Sequence, residues 1–199
     1  MDHYFSEHNN NLKSNPKVIA FSVNNTPLKF KTDHGVFSKG SFDRGTNVLL
    51  DYLVVNDEVQ SILDLGCGYG VIGIYLKKAY DHEVVMVDIN NRAVELSREN
   101  TTLNNVETTV IQSDGFANID NKFDLIVFNP PIRAGKEVIY KLFEDSINYL
   151  TDYGEFTIVI NKKHGANSAI NKLMDIYGNA EIIGKNKGFH VVRCKKTID

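Results

Sequence analysis

Cysteine is scarce in this chain, with Cys67 and Cys194 the only two among 199 residues. Two thiols cannot build a disulfide framework, and neither stands at metal-ligand spacing, so both are expected to be free and no metal site is expected. Long apolar tracts are missing too. No run of about 18 apolar residues is present, and the first residues lack the charged-then-apolar order of a secretory signal. The expectation is a soluble, cytoplasmic chain with no membrane partner. Repeats, low-complexity tracts and an interdomain linker are absent, although the polar first fifteen residues read as a loose terminus. With 42% hydrophobic residues the chain can bury one core, which predicts a single domain over residues 1–199. His3, His8, His34 and His164 show neither triad nor metal spacing and read as surface or loop residues.

Strong charge of one sign is also lacking. The net charge of −3 argues against indiscriminate polyanion binding. The charge is nonetheless uneven: residues 1–45 hold 6 Lys/Arg against 4 Asp/Glu, residues 46–154 hold 8 against 17, and residues 155–199 hold 8 against 4. If the two ends share one side of the fold they make a weakly basic face suited to phosphate; otherwise they are ordinary solvated lysines.

What is present is strand and helix in alternation. Two alternating runs, Val18 to Val23 and Pro27 to Thr32, flank Asn24-Asn25-Thr26 and predict a β-hairpin. A glycine-rich segment, Gly35 to Gly45, leads to a helical run over Thr46 to Val55. Strands are then expected over Ser61 to Leu65, Glu83 to Ile89, Val106 to Gln112, Phe123 to Phe128 and Glu155 to Ile160. Helices are expected over Val71 to Tyr80, Asn91 to Leu103 with Asn90 as cap, Glu137 to Leu150 and Ala166 to Tyr177. Such alternation means an α/β fold with a mostly parallel sheet covered on both faces. The tail departs from it: Ala180 to Gly184 and Phe189 to Cys194 are separated by so short a link that they must form an antiparallel hairpin.

Two loops carry the chemistry. Leu63-Asp64-Leu65-Gly66-Cys67-Gly68-Tyr69-Gly70 reads as a buried strand running into a glycine loop. Taken alone it is a weak signal that fits a dinucleotide fingerprint imperfectly, since the third glycine of that pattern would fall at Val71. Asp88 closes the next strand about twenty residues on, where a carboxylate accepts from ribose hydroxyls. Asp114 ends the third strand, in position to accept from an adenine amine, with Phe116 near enough to pack on the base. Asp64 suits the amino group of an amino-acid cofactor. Together these support an adenosine-type cofactor without choosing one, and an ordinary strand-to-helix turn remains the plain alternative.

The second loop is Asn129-Pro130-Pro131-Ile132, after the buried strand Phe123 to Phe128. An exocyclic amine on an aromatic base is a poor nucleophile, since its lone pair is delocalised into the ring. If the Asn129 side-chain oxygen and the Pro130 carbonyl each accept one N–H, that lone pair is aimed at an electrophile. Two of the chain's four prolines hold the turn before any substrate arrives.

On these motifs the chain resembles class I S-adenosylmethionine-dependent methyltransferases of the methyltransferase small family, near its RsmC-like guanine N2-methyltransferases of small-subunit ribosomal RNA. Besides both loops, the resemblance takes in Gly35-Val-Phe-Ser-Lys-Gly40, Asp88-Ile89, the extension of the proline turn to Lys136, and the closing Lys187-Gly-Phe-His-Val-Val-Arg-Cys194. It implies a Rossmann-like sheet of order 3-2-1-4-5-7-6 with strand seven antiparallel, preceded by the hairpin. It also implies S-adenosylmethionine as cofactor. Gly66, Cys67, Gly68 and Gly70 would line the methionine, near Asp64; Asp88 and Ile89 would hold the ribose; Asp114, Gly115 and Phe116 would take the adenine. Asn129 would serve both cofactor and catalysis, with Pro130 its partner in the clamp. Phe37, Lys39 and Asp43 would close over cofactor or target base, and Pro131, Ile132 and Arg133 would meet the substrate.

The family pattern is not complete here. An aromatic residue often follows the two prolines to stack on a flipped base, whereas this chain has Ile132, which leaves Arg133 or Phe37 to stack. Two-domain members also carry a second half that helps engage RNA. Three readings follow: a ribosomal RNA guanine methyltransferase working as monomer or homodimer, a protein glutamine or DNA amino methyltransferase, and a non-catalytic ribosome-assembly factor that binds cofactor.

Overall fold

The computed structural model describes residues 15–33 and 43–198. Two strands come first, β1 (Lys17–Val23) and β2 (Thr26–Thr32), then α1 (Arg44–Tyr52). The alternating part runs β3 (Ser61–Leu65), α2 (Val71–Tyr80), β4 (Glu83–Asp88), α3 (Asn91–Leu103), β5 (Thr109–Gln112) and β6 (Phe123–Phe128). It continues through α4 (Lys136–Ser146), β7 (Leu150–Asn161), α5 (Ala166–Tyr177), β8 (Glu181–Asn186) and β9 (Phe189–Lys195). Seven strands form one sheet in the order β5-β4-β3-β6-β7-β9-β8. Only β9 runs against its neighbours, so counted from β3 the order is the expected 3-2-1-4-5-7-6.

Central strands are mostly apolar because both faces are covered. Along β3, Ile62 faces the layer of α1, α2, α3 and the hairpin, while Leu63 faces the layer of α4 and α5; both are fully buried. Each such side chain contributes about 1.5–3 kcal/mol through burial. Small residues set how closely the layers approach. A Cβ at Gly73 of α2 would stand 2.5 Å from Met86 of β4, and one at Gly184 of β8 would stand 2.1 Å from the ring of Tyr52 on α1.

The β1–β2 turn is asparagine chemistry. Asn24 and Asn25 adopt φ of 45° and 65°, the left-handed pair that a two-residue hairpin turn demands. The hairpin is then tied to α3 by side chains acting as a surrogate strand. Lys31 N donates to Asn100 Oδ1 (2.6 Å) while Asn100 Nδ2 donates to Lys31 O (2.9 Å). Asn104 repeats the exchange with Lys29 at 3.0 and 2.6 Å. The outer edge of β2 is therefore closed and cannot pair with a second copy.

Several boundaries differ from the sequence reading, and α1 also ends at Tyr52 where Val55 was expected. α1 starts at Arg44 because the Asp43 carboxylate caps it, accepting from Thr46 N at 2.7 Å. β5 starts only at Thr109, since Asn105 (φ 55°) turns the chain off the end of α3. α4 stops at Ser146, and a 3-10 turn over Ile147–Tyr149 leads directly into a β7 that begins at Leu150. There Tyr153 takes a φ of 64°, and a Cβ at Gly154 would lie 3.0 Å from the Phe123 carbonyl oxygen. Among the described residues no helix is long and apolar enough to cross a membrane, and both thiols are free and buried.

Candidate functional site

The strand order reverses between β3 and β6, and at that point a cavity of about 360 Å³ opens at the carboxyl ends of the strands, where open α/β sheets bind their ligands. Its floor is the glycine loop. Gly66 and Gly68 adopt φ of 67° and 59°, and Gly70, φ 93°, begins α2 without a side-chain cap. These left-handed values favour glycine, and a Cβ on Gly68 would meet no protein atom within 4 Å. The loop is held before any ligand arrives: Ser97 Oγ donates to Gly68 O (2.9 Å), Cys67 N to Val87 O (2.8 Å) and Gly68 N to Asp88 Oδ2 (2.8 Å).

Two carboxylates support this floor. Asp64 lies beneath it, fully buried, with Oδ2 accepting from Gly73 N at 2.8 Å and Oδ1 without a partner among the described residues. Asp88 lines the cavity and accepts from Gly68 N and, through Oδ1, from Asn90 N at 2.9 Å. Burial raises the Asp64 carboxyl to about 7 and the Asp88 carboxyl to about 6, against the opposing pull of those N–H groups. Between about pH 4, where both would titrate in the unfolded chain, and these raised values, the folded protein binds more protons. Their stabilising contribution is thus complete in acid and is lost as pH rises through 6 to 7. A ligand that needs them ionised shows the opposite trend. Affinity for a cationic, hydroxyl-bearing ligand is expected to rise from pH 5.5 to pH 8 with proton release, read by calorimetry in buffers of different ionisation enthalpy; a flat profile would show that neither carboxylate meets the ligand.

Acidity also distinguishes the walls. Asp43, Asp88 and Asp114 line the cavity, and among the described residues no Lys, Arg or His does. Such a lining repels a pyrophosphate and suits a ligand carrying positive charge.

At the far wall stands Asn129, whose orientation is fixed by α1. Its Nδ2 donates to Asp43 Oδ2 (3.1 Å) and to Thr46 Oγ1 (3.0 Å). An ionised carboxylate only accepts, so the NH₂ end must face Asp43 and the carbonyl end is the one presented elsewhere. Both N–H bonds are used, and Oδ1 is offered as an acceptor. Asp43 thus caps α1 and aligns the carboxamide with one oxygen. Gly45 makes this convergence possible, because a Cβ there would lie 3.0 Å from Asp43 Oδ2 and 3.2 Å from the Phe189 ring.

The structure brings Asp43, Gly66, Cys67, Gly68, Asp88, Ile89, Asp114, Gly115, Asn129, Pro130 and Pro131 to one cavity. It leaves other sequence candidates off its surface. Gly70 starts α2 and Asp64 sits below the floor, so both act on the loop from behind. Phe116 does not reach a base: it is buried in the α4/α5 layer and stacks on Tyr149 at 4.4 Å. Ile132 packs against that same layer, and Arg133 is exposed on the 3-10 turn Ile132–Ala134. Phe37 and Lys39 lie outside the described residues. Thr46, Tyr69, Val138 and Leu142 line the cavity without having been read from the sequence. Thr46 left a signal there as the third residue after a capping aspartate, and Tyr69 as a member of the glycine loop. The Tyr69 hydroxyl is buried without a partner among the described residues, and burial raises its phenol, with Asp43 adding to the effect.

Comparison with known proteins gives these features a context. The model of the methyltransferase small domain matches residues 27–193. The chain is 43% identical to the uncharacterised protein YbxB of Bacillus subtilis, over 98% of each chain. It is 37% identical to the ribosomal RNA small subunit methyltransferase C of Actinobacillus pleuropneumoniae, covering 80% of this chain and 50% of that one, so it spans about half the length of such relatives. The 16S rRNA N2 G1207 methyltransferase (RsmC) of T. Thermophilus, solved with AdoMet and guanosine, superposes with a TM-score of 0.83 at 24% identity, over 93% of this chain and 52% of that one.

Proposed function

The chain belongs to the methyltransferase small domain family, and from that premise we propose that it is an S-adenosylmethionine-dependent methyltransferase of the N2 amine of guanine in small-subunit ribosomal RNA, acting in the cytoplasm. The observation that carries this reading is a carboxamide, its amide nitrogen held by Asp43 and Thr46, at the wall of a cavity lined, among the described residues, by carboxylates and no cation.

The residues fit the cofactor. The unpartnered, buried Asp64 Oδ1 suits an ammonium group, Asp88 retains lone pairs for ribose hydroxyls after accepting two N–H bonds, and Gly68 leaves open space above the loop. Bound there, S-adenosylmethionine supplies an electrophilic methyl on a sulfonium sulfur. Asp43, Asp88 and Asp114 favour that positive charge electrostatically. Asn129 Oδ1 and the Pro130 carbonyl accept the two N–H bonds of the target amine, drawing its nitrogen toward a tetrahedral shape and aiming its lone pair. Attack forms the N–CH₃ bond and breaks the S–CH₃ bond, and the surplus proton leaves to water. No strong base is needed to start, and catalysis is chiefly positioning.

The ribosomal RNA acceptor is supported by the activity named for the Actinobacillus relative and by the fold shared with RsmC. Transfer of labelled methyl to small ribosomal subunits and to their protein-free RNA tests it. RNase-sensitive label on a guanine amine is the expected result. Label that is protease- or DNase-sensitive would place the acceptor among glutamines or DNA bases, and cofactor binding with no transfer would leave an assembly factor.

A further inference from the structure

Topology delivers the closing motif Lys187-Gly-Phe-His to the mouth of the cavity. β9 begins at Phe189 paired with Asn161, the last residue of β7, so the β8–β9 tip stands at the same end of the sheet as Asn129. Lys162 N donates to Gly188 O at 2.7 Å, joining the turn after β7 to that tip. Lys162, Lys163, Lys185 and Lys187 are thereby gathered on one rim, all exposed. None of the four forms an ion pair among the described residues, whereas Lys77, Lys141 and Lys172 do. The local field is felt by His190, held below its ordinary value by burial first and then by Lys185 and Lys162.

Beside this rim lies an aromatic edge. The Cβ position of Gly45 falls 3.2 Å from the Phe189 ring and 3.5 Å from Asn129 Oδ1, so the half-buried ring borders the carboxamide. Charge changes sign across a few residues: carboxylates line the cavity, and unpaired lysines stand outside it. A polyanion attracted to the rim would be kept from the cavity floor, while one base beside Phe189 could reach Asn129.

We propose that Lys162, Lys163, Lys185 and Lys187 form a docking rim for the phosphates of single-stranded RNA, with Phe189 as the edge against which the displaced base rests. Basic residues tracking a backbone beside an aromatic face are the usual means of holding unpaired strands. The proposal rests on RNA being the acceptor.

The test is the full chain with K162E and K187E combined, against K122E as control. Lys122 is exposed and precedes β6, so it sits at the opposite end of the sheet. Binding of a fluorescein-labelled single-stranded RNA oligonucleotide is followed across salt concentrations, alongside cofactor affinity and methyl transfer to small-subunit RNA. The double variant is expected to bind RNA at least about tenfold more weakly, with a salt dependence shallower by roughly 0.7 per lysine removed. It should raise KM for RNA while kcat and cofactor affinity stay within about twofold, and K122E should change neither binding nor KM. Transfer by wild type with RNA affinity and salt slope indifferent to the two lysines would overturn the rim alone. Lysine-dependent RNA binding without transfer would overturn the guanine reading and sustain the rim, and a wild-type chain that binds no RNA would overturn the rim.

Discussion

Replacing Asn129 with alanine is expected to lower kcat for methyl transfer by about two to three orders of magnitude, the usual cost of removing one preorganised polar contact from the reacting atoms, while cofactor affinity stays within about twofold. The separation follows from the geometry. Nδ2 is committed to Asp43 and Thr46, which leaves Oδ1 as the acceptor, so the side chain is expected to act on the amine and scarcely on the cofactor. Thr46→Val tests the orienting half: with one acceptor gone, the carboxamide is less firmly held, and kcat should fall about tenfold with little change in cofactor affinity. Thr46→Ser keeps the hydroxyl and should restore most of that loss. Single-turnover kinetics with saturating cofactor measure both. Wild-type turnover in Asn129→Ala would remove the clamp from the mechanism.

Asn100→Ala is expected to cause the largest loss of stability of any single carboxamide in the chain, about 3 kcal/mol or more. Asn100 is fully buried and serves three backbone groups: Lys31 N, Lys31 O and, through a 2.9 Å bond from Nδ2, Tyr69 O. Each group left without a partner in the interior costs about 1–3 kcal/mol. The change would lower the melting temperature by roughly 6–12 °C, read by urea and thermal unfolding. It should also loosen the glycine loop at Tyr69, so cofactor affinity should fall with stability even though Asn100 is not itself one of the cavity-lining residues. Asn104→Ala removes the equivalent exchange with Lys29, and its effect should be smaller because the loop is not involved. A loss below about 1 kcal/mol for Asn100→Ala would show that water replaces these bonds freely.

These two residues show where local pattern ends. Asn129 was legible because two prolines and a buried strand announce a rigid turn, and its acceptor role follows from amide chemistry alone. Asn100 was not, since a polar residue late in an amphipathic helix is ordinarily solvated; its value arises only when β2 is laid alongside α3. Phe116 failed for the converse reason. Proximity to Asp114 in sequence placed it near a base, but the chain turns inward after Gly115, and its ring is taken up by Tyr149 in the core. Ile132 likewise spends its aliphatic surface on the α4/α5 layer, so the missing aromatic after the prolines is not replaced from that position.

Local chemistry by itself determined the alternation of strands and helices, the terminal antiparallel hairpin, the asparagine turn, the glycine loop and the carboxylates at strand ends. Each depends on a period of two or 3.6 residues, on a backbone angle that few side chains tolerate, or on a link too short for a crossover. Tertiary structure alone decided that Asp43 and Thr46 grip Asn129 across more than eighty residues of sequence, that asparagine side chains close the edge of β2, and that the β8–β9 tip brings its lysines and Phe189 to the cavity mouth. Those arrangements depend on which edges and faces meet when the sheet reverses its order between β3 and β6, and no local periodicity encodes that meeting.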